Sequence, residues 1–135
     1  MKAAAVPRVL LVDDNRHFRG ELRLLLEDYG IQVVAEGSNG QEAIELAAST
    51  DVDVVLMDLR MPVMDGLAAA KALQVSSPLL PVIILSAYED PALQAEARSA
   101  NAYAYLVKGC SPALIRDVVA QAFALKTGLQ ARARS

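Results

Sequence analysis

The chain has little of what metal centres, disulfide frameworks and base-stacking sites are made from. Its 135 residues include one cysteine, one histidine and no tryptophan. A single cysteine excludes an intramolecular disulfide framework and a multi-cysteine zinc site, and a single histidine excludes a histidine-rich metal centre. Aromatic residues make up 4% of the chain, which is too little for a surface on which nucleic-acid bases stack.

Long apolar runs are also missing. No apolar stretch approaches the ~20 residues that span a bilayer. The apolar start of the chain is interrupted at Arg8 before it can form a signal peptide. We therefore expect a cytoplasmic protein with no membrane partner. Its 13 basic and 16 acidic residues give a net charge of −3, which argues against direct nucleic-acid binding by this domain.

What the chain does contain is a repeated pair of patterns, a short apolar run followed by a helix-like stretch. Strand followed by helix, five times, is typical of a parallel sheet with helices on both faces. We predict an α/β fold of the doubly wound, flavodoxin-like kind, with five strands in the order 2-1-3-4-5. The predicted strands are Arg8–Val12, Gln32–Glu36, Val54–Asp58, Val82–Ser86 and Ala104–Val107.

Capping and turn residues mark the helices between these strands. Asn39 predicts the start of the second helix, and Asp90-Pro91 and Ser111-Pro112 predict the starts of the fourth and fifth. An alanine-rich stretch predicts a third helix from Gly66 to about Leu73.

The last ten residues differ in charge from the rest of the chain. Three basic residues and no acid lie in the last ten positions, and Gly128 marks the predicted end of the fifth helix. We predict an N-terminal tail over residues 1–7, one domain over residues 8–127, and a basic C-terminal tail or linker stub over residues 128–135.

Five polar side chains follow the predicted strands. Asp13 and Asp14 follow the first strand, Asp58 ends the third, Ser86 ends the fourth and Lys108 follows the fifth. Any one aspartate here could be only a turn or capping residue, but the fold brings all five to one edge of the sheet. Two carboxylates ~5 Å apart repel by roughly 3 kcal/mol at an effective dielectric of about 20. A hard divalent cation would offset that repulsion, which predicts a magnesium site.

A cation beside a carboxylate and a lysine suits phosphoryl transfer, in which a carboxylate can itself be the nucleophile. Asp58 is the best candidate because it ends the central strand, between the other acids and the lysine. The lone histidine, His17, falls at the start of the first helix, where a surface role is expected.

Four motifs stand at these strand ends. They are Val9-Leu-Leu-Val-Asp-Asp14, Val55-Leu-Met-Asp-Leu-Arg-Met-Pro62 with Met64-Asp-Gly66, Ser86-Ala87, and Tyr105-Leu-Val-Lys108. With these motifs, residues 8 to about 126 resemble the receiver domain of bacterial two-component response regulators, in particular receivers of the subfamily with a helix-turn-helix output domain.

The resemblance implies a role for each site residue. Asp58 would accept a phosphoryl group from a sensor histidine kinase or a histidine phosphotransfer protein. Mg²⁺ would be held by Asp58, by Asp14 directly, by Asp13 through water, and by the backbone carbonyl of Arg60. Lys108 would contact the phosphoryl oxygens. The protein would then be a phosphorylation-controlled switch that assists its own phosphorylation and dephosphorylation, and not an enzyme toward an outside substrate.

The resemblance also implies a way to pass the signal on. Ser86 would move to bond the phosphoryl group, and the ring of Tyr105 would turn inward. The face made by the fourth helix, fifth strand and fifth helix would change, and a homodimer can form through it. From the residues alone, Ser86 could instead cap the next turn, and Tyr105 could be a fixed strand aromatic.

Two positions depart from the family pattern. Gly109 stands where many receivers have proline after the lysine. Asn101 stands where receivers usually have glycine, and asparagine is the next best residue for a left-handed backbone.

Three other functions stay open from the residues. An aspartate-dependent phosphohydrolase would carry a second acid two residues after its nucleophile, where this chain has Arg60. A nucleotide- or flavin-binding module would carry a phosphate-binding loop after the first strand, where this chain has Asp13 and Asp14. A degenerate receiver that serves only for docking would lack Asp58 or Lys108.

Overall fold

The computed structural model describes residues 6–134. Within that range five strands form one parallel sheet in the order β2-β1-β3-β4-β5, which confirms the predicted fold and strand order. The strands are β1 (Arg8–Val12), β2 (Gln32–Gly37), β3 (Val54–Met57), β4 (Val82–Ser86) and β5 (Ala104–Val107). The observed β2 ends one residue after the predicted end at Glu36, and the observed β3 ends one residue before the predicted end at Asp58.

Five helices connect and follow the strands. They are α1 (Arg16–Asp28), α2 (Gly40–Ser49), α3 (Gly66–Ser76), α4 (Pro91–Ser99) and α5 (Pro112–Arg134). The side chains of Asn15, Asn39, Asp65 and Asp90 each accept a backbone hydrogen bond at the start of a helix, which satisfies amides that a helix start otherwise leaves free. No helix within residues 6–134 has the length and apolarity needed to cross a membrane.

Both faces of the sheet are covered. Val9 and Leu11 of β1 pack into one core cluster with side chains of α1 and α5, whereas Leu10 and Val12 pack into a second cluster with side chains of α2, α3 and α4. Successive strand residues point to opposite faces. An uninterrupted apolar run such as β1 is therefore required wherever both faces are buried.

The predicted end of the fifth helix at Gly128 is wrong, because α5 continues to Arg134. A glycine in a helix interior lowers the stability of the helix by about 1 kcal/mol relative to alanine. A loss of this size does not by itself end a helix. No proline follows Gly128, and the next residues, Leu129 to Arg134, are mostly strong helix formers. The third helix likewise runs to Ser76, past the predicted end near Leu73.

The two predicted domain boundaries are not settled by these helix ends. The assignment of residues 128–135 to a region outside the domain stays a prediction. Residues 1–5 of the predicted N-terminal tail lie outside the described residues. Pro7 already pairs with the sheet, since its carbonyl accepts the amide of Gln32 at 3.1 Å.

The two departures from the family pattern occupy left-handed backbone. Asn101 has a φ of 63° and Gly109 has a φ of 97°. The asparagine therefore adopts the conformation predicted for it. The glycine at position 109 allows a turn that a residue with a Cβ atom rarely adopts.

A buried lysine connects α5 to the end of the sheet at which the strands begin. Lys126 is 8% exposed, and its Nζ donates to the carbonyl of Val52 at 2.8 Å and to Asp53 Oδ1 at 3.0 Å. Arg8 holds the other oxygen of Asp53 at 2.9 Å from its amide and 3.1 Å from Nε. Burial acts to raise the pKa of Asp53, but the hydrogen bonds from Arg8 and Lys126 outweigh it and hold the pKa below its usual range.

We expect Lys126→Met to lower the free energy of unfolding by about 2 kcal/mol, because it leaves buried acceptors without their donor. Arg132→Met, at an exposed position on the same helix, should change it by less than about 0.5 kcal/mol. Urea denaturation of both variants measures the difference. Equal stabilities would mean that the Lys126 contacts contribute nothing net.

Candidate functional site

Charged side chains meet at the carboxyl end of the sheet, as the strand order predicts. Asp13 and Asp14 follow β1, Asp58 follows β3 and Lys108 follows β5. One carboxylate oxygen from each aspartate lies within 4.8 Å of the other two. The three acids come together because β1 and β3 are hydrogen-bonded neighbours in the sheet.

Lys108 is the cation of this cluster. Its Nζ lies 2.9 Å from Asp13 Oδ2, 3.5 Å from Asp58 Oδ2 and 4.3 Å from the centroid of the Phe18 ring. Burial acts to lower the pKa of Lys108, but the hydrogen bond to Asp13 and the charges of both carboxylates outweigh burial and raise it. The ammonium group therefore stays charged at neutral pH.

Asp58 is held in an unfavourable environment for its negative charge. The residue is 9% exposed, and its Oδ1 accepts the amide of Leu59 at 2.8 Å. Burial and then the negative charge of Asp13 raise the pKa of Asp58, and Lys108 offsets this only in part. The cluster therefore has an excess of negative charge that a further cation would neutralise.

Asp13 and Asp14 differ in the bonding and in the solvent exposure of their carboxylates. Both oxygens of Asp13 have partners, since Oδ1 accepts the amide of Asn15 at 2.8 Å and Oδ2 pairs with Lys108. Asp13 is buried, whereas Asp14 is exposed. Asp14 is the carboxylate of this pair that is open to solvent.

The donor set fits Mg²⁺, which prefers carboxylate oxygens and keeps several of its ligand positions for water or phosphate. The raised pKa of Asp58, caused by burial and by Asp13, reflects the repulsion that a bound cation would relieve. Arg60, the remaining predicted ligand, lies in the loop after β3. Its guanidinium carbon lies 5.3 Å from the centroid of the Tyr88 ring, and the role of its carbonyl as a ligand stays a prediction.

A glycine lies directly against the backbone of Asp58. A Cβ atom at Gly66 would come within 2.2 Å of the carbonyl oxygen of Asp58, a distance at which the backbone would have to move. The amide of Gly66 also donates to the carbonyl of Leu59 at 2.8 Å. The start of α3 is thus packed against the residue that carries the central carboxylate.

The same loop contains a strained turn. The amide of Met64 donates to the carbonyl of Pro62 at 2.7 Å, which makes Val63 the central residue of a γ-turn. Val63 has a φ of 68° and is 83% exposed. A β-branched residue rarely adopts this conformation, so the contacts on either side hold the loop after Asp58 in one shape.

Ser86 and Tyr105 are connected through Tyr88. The Oγ atom of Ser86, which is fully buried, accepts the amide of Tyr88 at 3.1 Å. The carbonyl of Tyr88 accepts the hydroxyl of Tyr105 at 2.5 Å. One residue of the loop between β4 and α4 therefore contacts both predicted switch residues.

Three residues near the site were not predicted from the sequence. Phe18 lies under the ammonium of Lys108, Arg19 donates to the carbonyl of Asp13, and Tyr88 connects Ser86 with Tyr105. The position of Arg19 near the start of α1, shortly after Asp13 in the sequence, is a signal that could have indicated its contact. His17 lies on the surface, as predicted, 2.9 Å from Glu21.

Comparison with known proteins assigns the chain to a family. The family model for the response regulator receiver domain matches residues 9–120. The chain belongs to the response regulator receiver family. Receiver domains of this family are phosphorylated by histidine kinases. The assignment favours a switch over the phosphohydrolase and the nucleotide-binding module predicted as alternatives.

Two curated relatives of this receiver are bacterial regulators. It is 41% identical over 117 residues to the transcriptional regulatory protein PdtaR of Mycobacterium tuberculosis, covering 86% of this chain and 55% of PdtaR. It is 41% identical over 105 residues to the response regulator UvrY of Escherichia coli, covering 77% of this chain and 48% of UvrY. The chain thus spans about half the length of these relatives.

The receiver also resembles solved structures. A two-component response regulator of the LuxR family from Aurantimonas sp. SI85-9A1 superposes with a TM-score of 0.85 at 30% identity, covering 89% of this chain and 86% of that one. The predicted family is therefore confirmed by sequence and by structure.

Proposed function

We propose that this receiver is a signalling switch in which Asp58 accepts a phosphoryl group from a histidine kinase or a histidine phosphotransfer protein. One observation carries the proposal: Asp58 follows the central strand, with one carboxylate oxygen within 4.8 Å of those of Asp13 and Asp14 and with Oδ2 3.5 Å from Lys108 Nζ. Asp13 also lies beside Lys108, but its two oxygens already bond Asn15 at 2.8 Å and Lys108 at 2.9 Å. Asp58 holds Lys108 less tightly, at 3.5 Å, and is therefore the better nucleophile.

In the proposed reaction, an oxygen of ionised Asp58 attacks the phosphorus of a phosphohistidine. A phosphorus–oxygen bond forms and the phosphorus–nitrogen bond breaks, and the imidazole nitrogen keeps the electron pair of the broken bond. Lys108 neutralises negative charge on the phosphoryl oxygens, since it is held within 3.5 Å of Asp58. The leaving imidazole can take a proton from water.

We propose that Asp13, Asp14, Asp58 and the carbonyl of Arg60 hold Mg²⁺ beside this carboxylate. The ion, when bound, supplies positive charge next to the transferring group and lowers the repulsion within the acid cluster. Asp14 is the direct ligand because it is open to solvent, whereas Asp13 already bonds Asn15 and Lys108 through its two oxygens and acts through water.

The output would pass through Ser86 and Tyr105 to the face formed by α4, β5 and α5, where a partner protein or a second copy of the chain docks. The hydrogen bonds that join both residues to Tyr88 support this route. In this proposal the receiver acts on no outside substrate, and its chemistry is confined to its own phosphorylation and dephosphorylation.

Incubation with acetyl phosphate and Mg²⁺ tests the phosphoacceptor. The intact mass should rise by one phosphoryl group, and reduction of the acyl phosphate with borohydride should place the modification at Asp58. The gain should disappear when Mg²⁺ is chelated. No gain in mass with Mg²⁺ present would instead support a docking module that is not phosphorylated, and modification at another residue would contradict the assignment of Asp58.

A further inference from the structure

Arg19 of α1 donates a hydrogen bond to the main chain of the acid cluster that Asp13, Asp14 and Asp58 form. It donates from one terminal nitrogen to the main-chain carbonyl of Asp13 at 2.5 Å and from Nε to Glu36 Oε1 at 2.9 Å. Its side chain is 16% exposed. The guanidinium group therefore connects the peptide between Asp13 and Asp14 to the end of β2, where Glu36 lies.

The residues on either side of that peptide make further hydrogen bonds. The amide of Asp13 donates to the carbonyl of Gly37 at 3.0 Å, and the Asp13 carboxylate is held by Asn15 and Lys108. The carbonyl held by Arg19 belongs to the peptide group that leads into Asp14. A rotation of this peptide would turn the Asp14 side chain relative to Asp58. The hydrogen bond from Arg19 therefore affects the distance between the Asp14 and Asp58 carboxylates.

The contact acts through geometry more than through charge. Glu36 accepts hydrogen bonds from both Arg19 and Arg23. Burial acts to raise the pKa of Glu36, but the hydrogen bonds from Arg23 and Arg19 outweigh it and lower the pKa. An ionised Glu36 thus neutralises the positive charge of Arg19, which would otherwise oppose the binding of a cation nearby.

We propose that Arg19 is a positioning residue for the metal site, which holds the Asp13–Asp14 peptide in the orientation that lets Asp14 and Asp58 bind one Mg²⁺ ion. The inference rests on the proposed function, since it assumes that these acids bind Mg²⁺. Groups that hold the ligands of a metal typically contribute 10- to 100-fold to its affinity.

Arg23 provides a matched control. It lies one helical turn after Arg19, pairs with the same Glu36 and also pairs with Glu27 at 3.1 Å. Within residues 6–134, the side chain of Arg23 bonds these two glutamates and does not bond Asp13. Arg19→Met and Arg23→Met each remove one positive charge and one partner of Glu36, and they differ in the hydrogen bond to the Asp13 carbonyl.

The test is the Mg²⁺ affinity of the unphosphorylated full chain, measured by titration of the backbone amide resonances of Asp13, Asp14 and Asp58. Arg19→Met should weaken the affinity about tenfold, while Arg23→Met should stay within about twofold of the wild type. Before any Mg²⁺ is added, the Asp14 amide should shift in Arg19→Met and stay in place in Arg23→Met. Wild-type affinity in Arg19→Met, or an equal loss in both variants, would overturn the role of Arg19.

Two outcomes distinguish a failure of the Arg19 role from a failure of the proposed function. If the wild-type protein binds no Mg²⁺, the proposed metal site and the Arg19 role are both wrong. If the wild type binds Mg²⁺ and Arg19→Met binds it equally tightly, only the Arg19 role is wrong. If Arg19→Met does not fold, Arg19→Lys takes its place. Lysine has one ammonium group where the guanidinium has separate nitrogens for Glu36 and Asp13, so it should also lose affinity, and wild-type affinity would overturn the proposal.

Discussion

Asp58→Asn should abolish the phosphoryl label and at the same time make the metal-free protein more stable. The amide cannot attack phosphorus as a carboxylate does, so the gain in mass with acetyl phosphate should be lost. The free energy of unfolding at neutral pH should rise by about 1–2 kcal/mol, because the variant removes the repulsion between Asp58 and Asp13. Asparagine can still accept the amide of Leu59, which keeps the local hydrogen bond.

The sign follows from the pKa of Asp58, which burial and the charge of Asp13 raise above its usual range. The folded state then binds the Asp58 proton more tightly than the unfolded chain does. The stabilising contribution of this proton is fully present below the unfolded pKa of about 4, and it is lost as the pH rises through the raised folded value. The stability advantage of Asp58→Asn should therefore be largest near neutral pH and should shrink as the pH falls toward 4.

Denaturation with urea at several pH values, with Mg²⁺ chelated, measures this advantage. Glu45→Gln is the matched control, since it neutralises an exposed carboxylate on α2 and should change stability by less than about 0.5 kcal/mol. Two results would count against the argument. A label that persists in Asp58→Asn would mean that another residue accepts the phosphoryl group. A large loss of stability would mean that Asp58 is a structural hydrogen-bonding group.

The sheet and the charged residues at its edge could be predicted because they depend on local patterns. A continuous apolar run such as Val9–Val12 has to be buried on both faces, and the order of the strands then brings Asp13, Asp58 and Lys108 to one edge. Three of the predicted strands, β1, β4 and β5, have the bounds found in the structure. These features need no knowledge of side-chain contacts.

The supporting contacts could not be predicted because they join residues that only the packed fold brings together. The sequence predicts Gly66 as the start of a helix, but its closeness to the carbonyl of Asp58 depends on how α3 packs against the end of β3. The bond from Arg19 to Glu36 depends likewise on how α1 lies along β2. The end of α5 was missed for another reason, since a glycine at an exposed position lowers helix stability without ending the helix.

The second large effect is expected at the residues that would carry the output. Binding of a beryllofluoride complex, which mimics the phosphoryl group, should change the amide resonances of the wild type from Asp58 through Ser86 and Tyr88 to Tyr105. For the Ser86 hydroxyl to turn toward the mimic, it has to give up the 3.1 Å hydrogen bond from the Tyr88 amide. The main chain at Tyr88, whose carbonyl accepts the Tyr105 hydroxyl, is then free to reorient.

Ser86→Ala should confine these changes to the acid cluster, because it removes the oxygen that the mimic would attract. Ser76→Ala, which removes a hydroxyl that binds only within α3, should leave the full set of changes in place. Tyr105→Phe separates the two steps, since it keeps the Ser86 contact and removes the bond to the Tyr88 carbonyl. In that variant the changes should reach Tyr88 and weaken beyond it.

The size of the effect is set by how strongly the mimic favours one of two states. Couplings between sites in switching proteins are typically ~1–3 kcal/mol, or about 5- to 150-fold in an equilibrium constant. A minor population of the active state should therefore exist without phosphate, visible as exchange broadening at Tyr88 and Tyr105 that disappears on saturation with the mimic. If the mimic binds the wild type and the Tyr105 resonances do not change, the output does not pass through Ser86 and Tyr88, whatever the chemistry at Asp58.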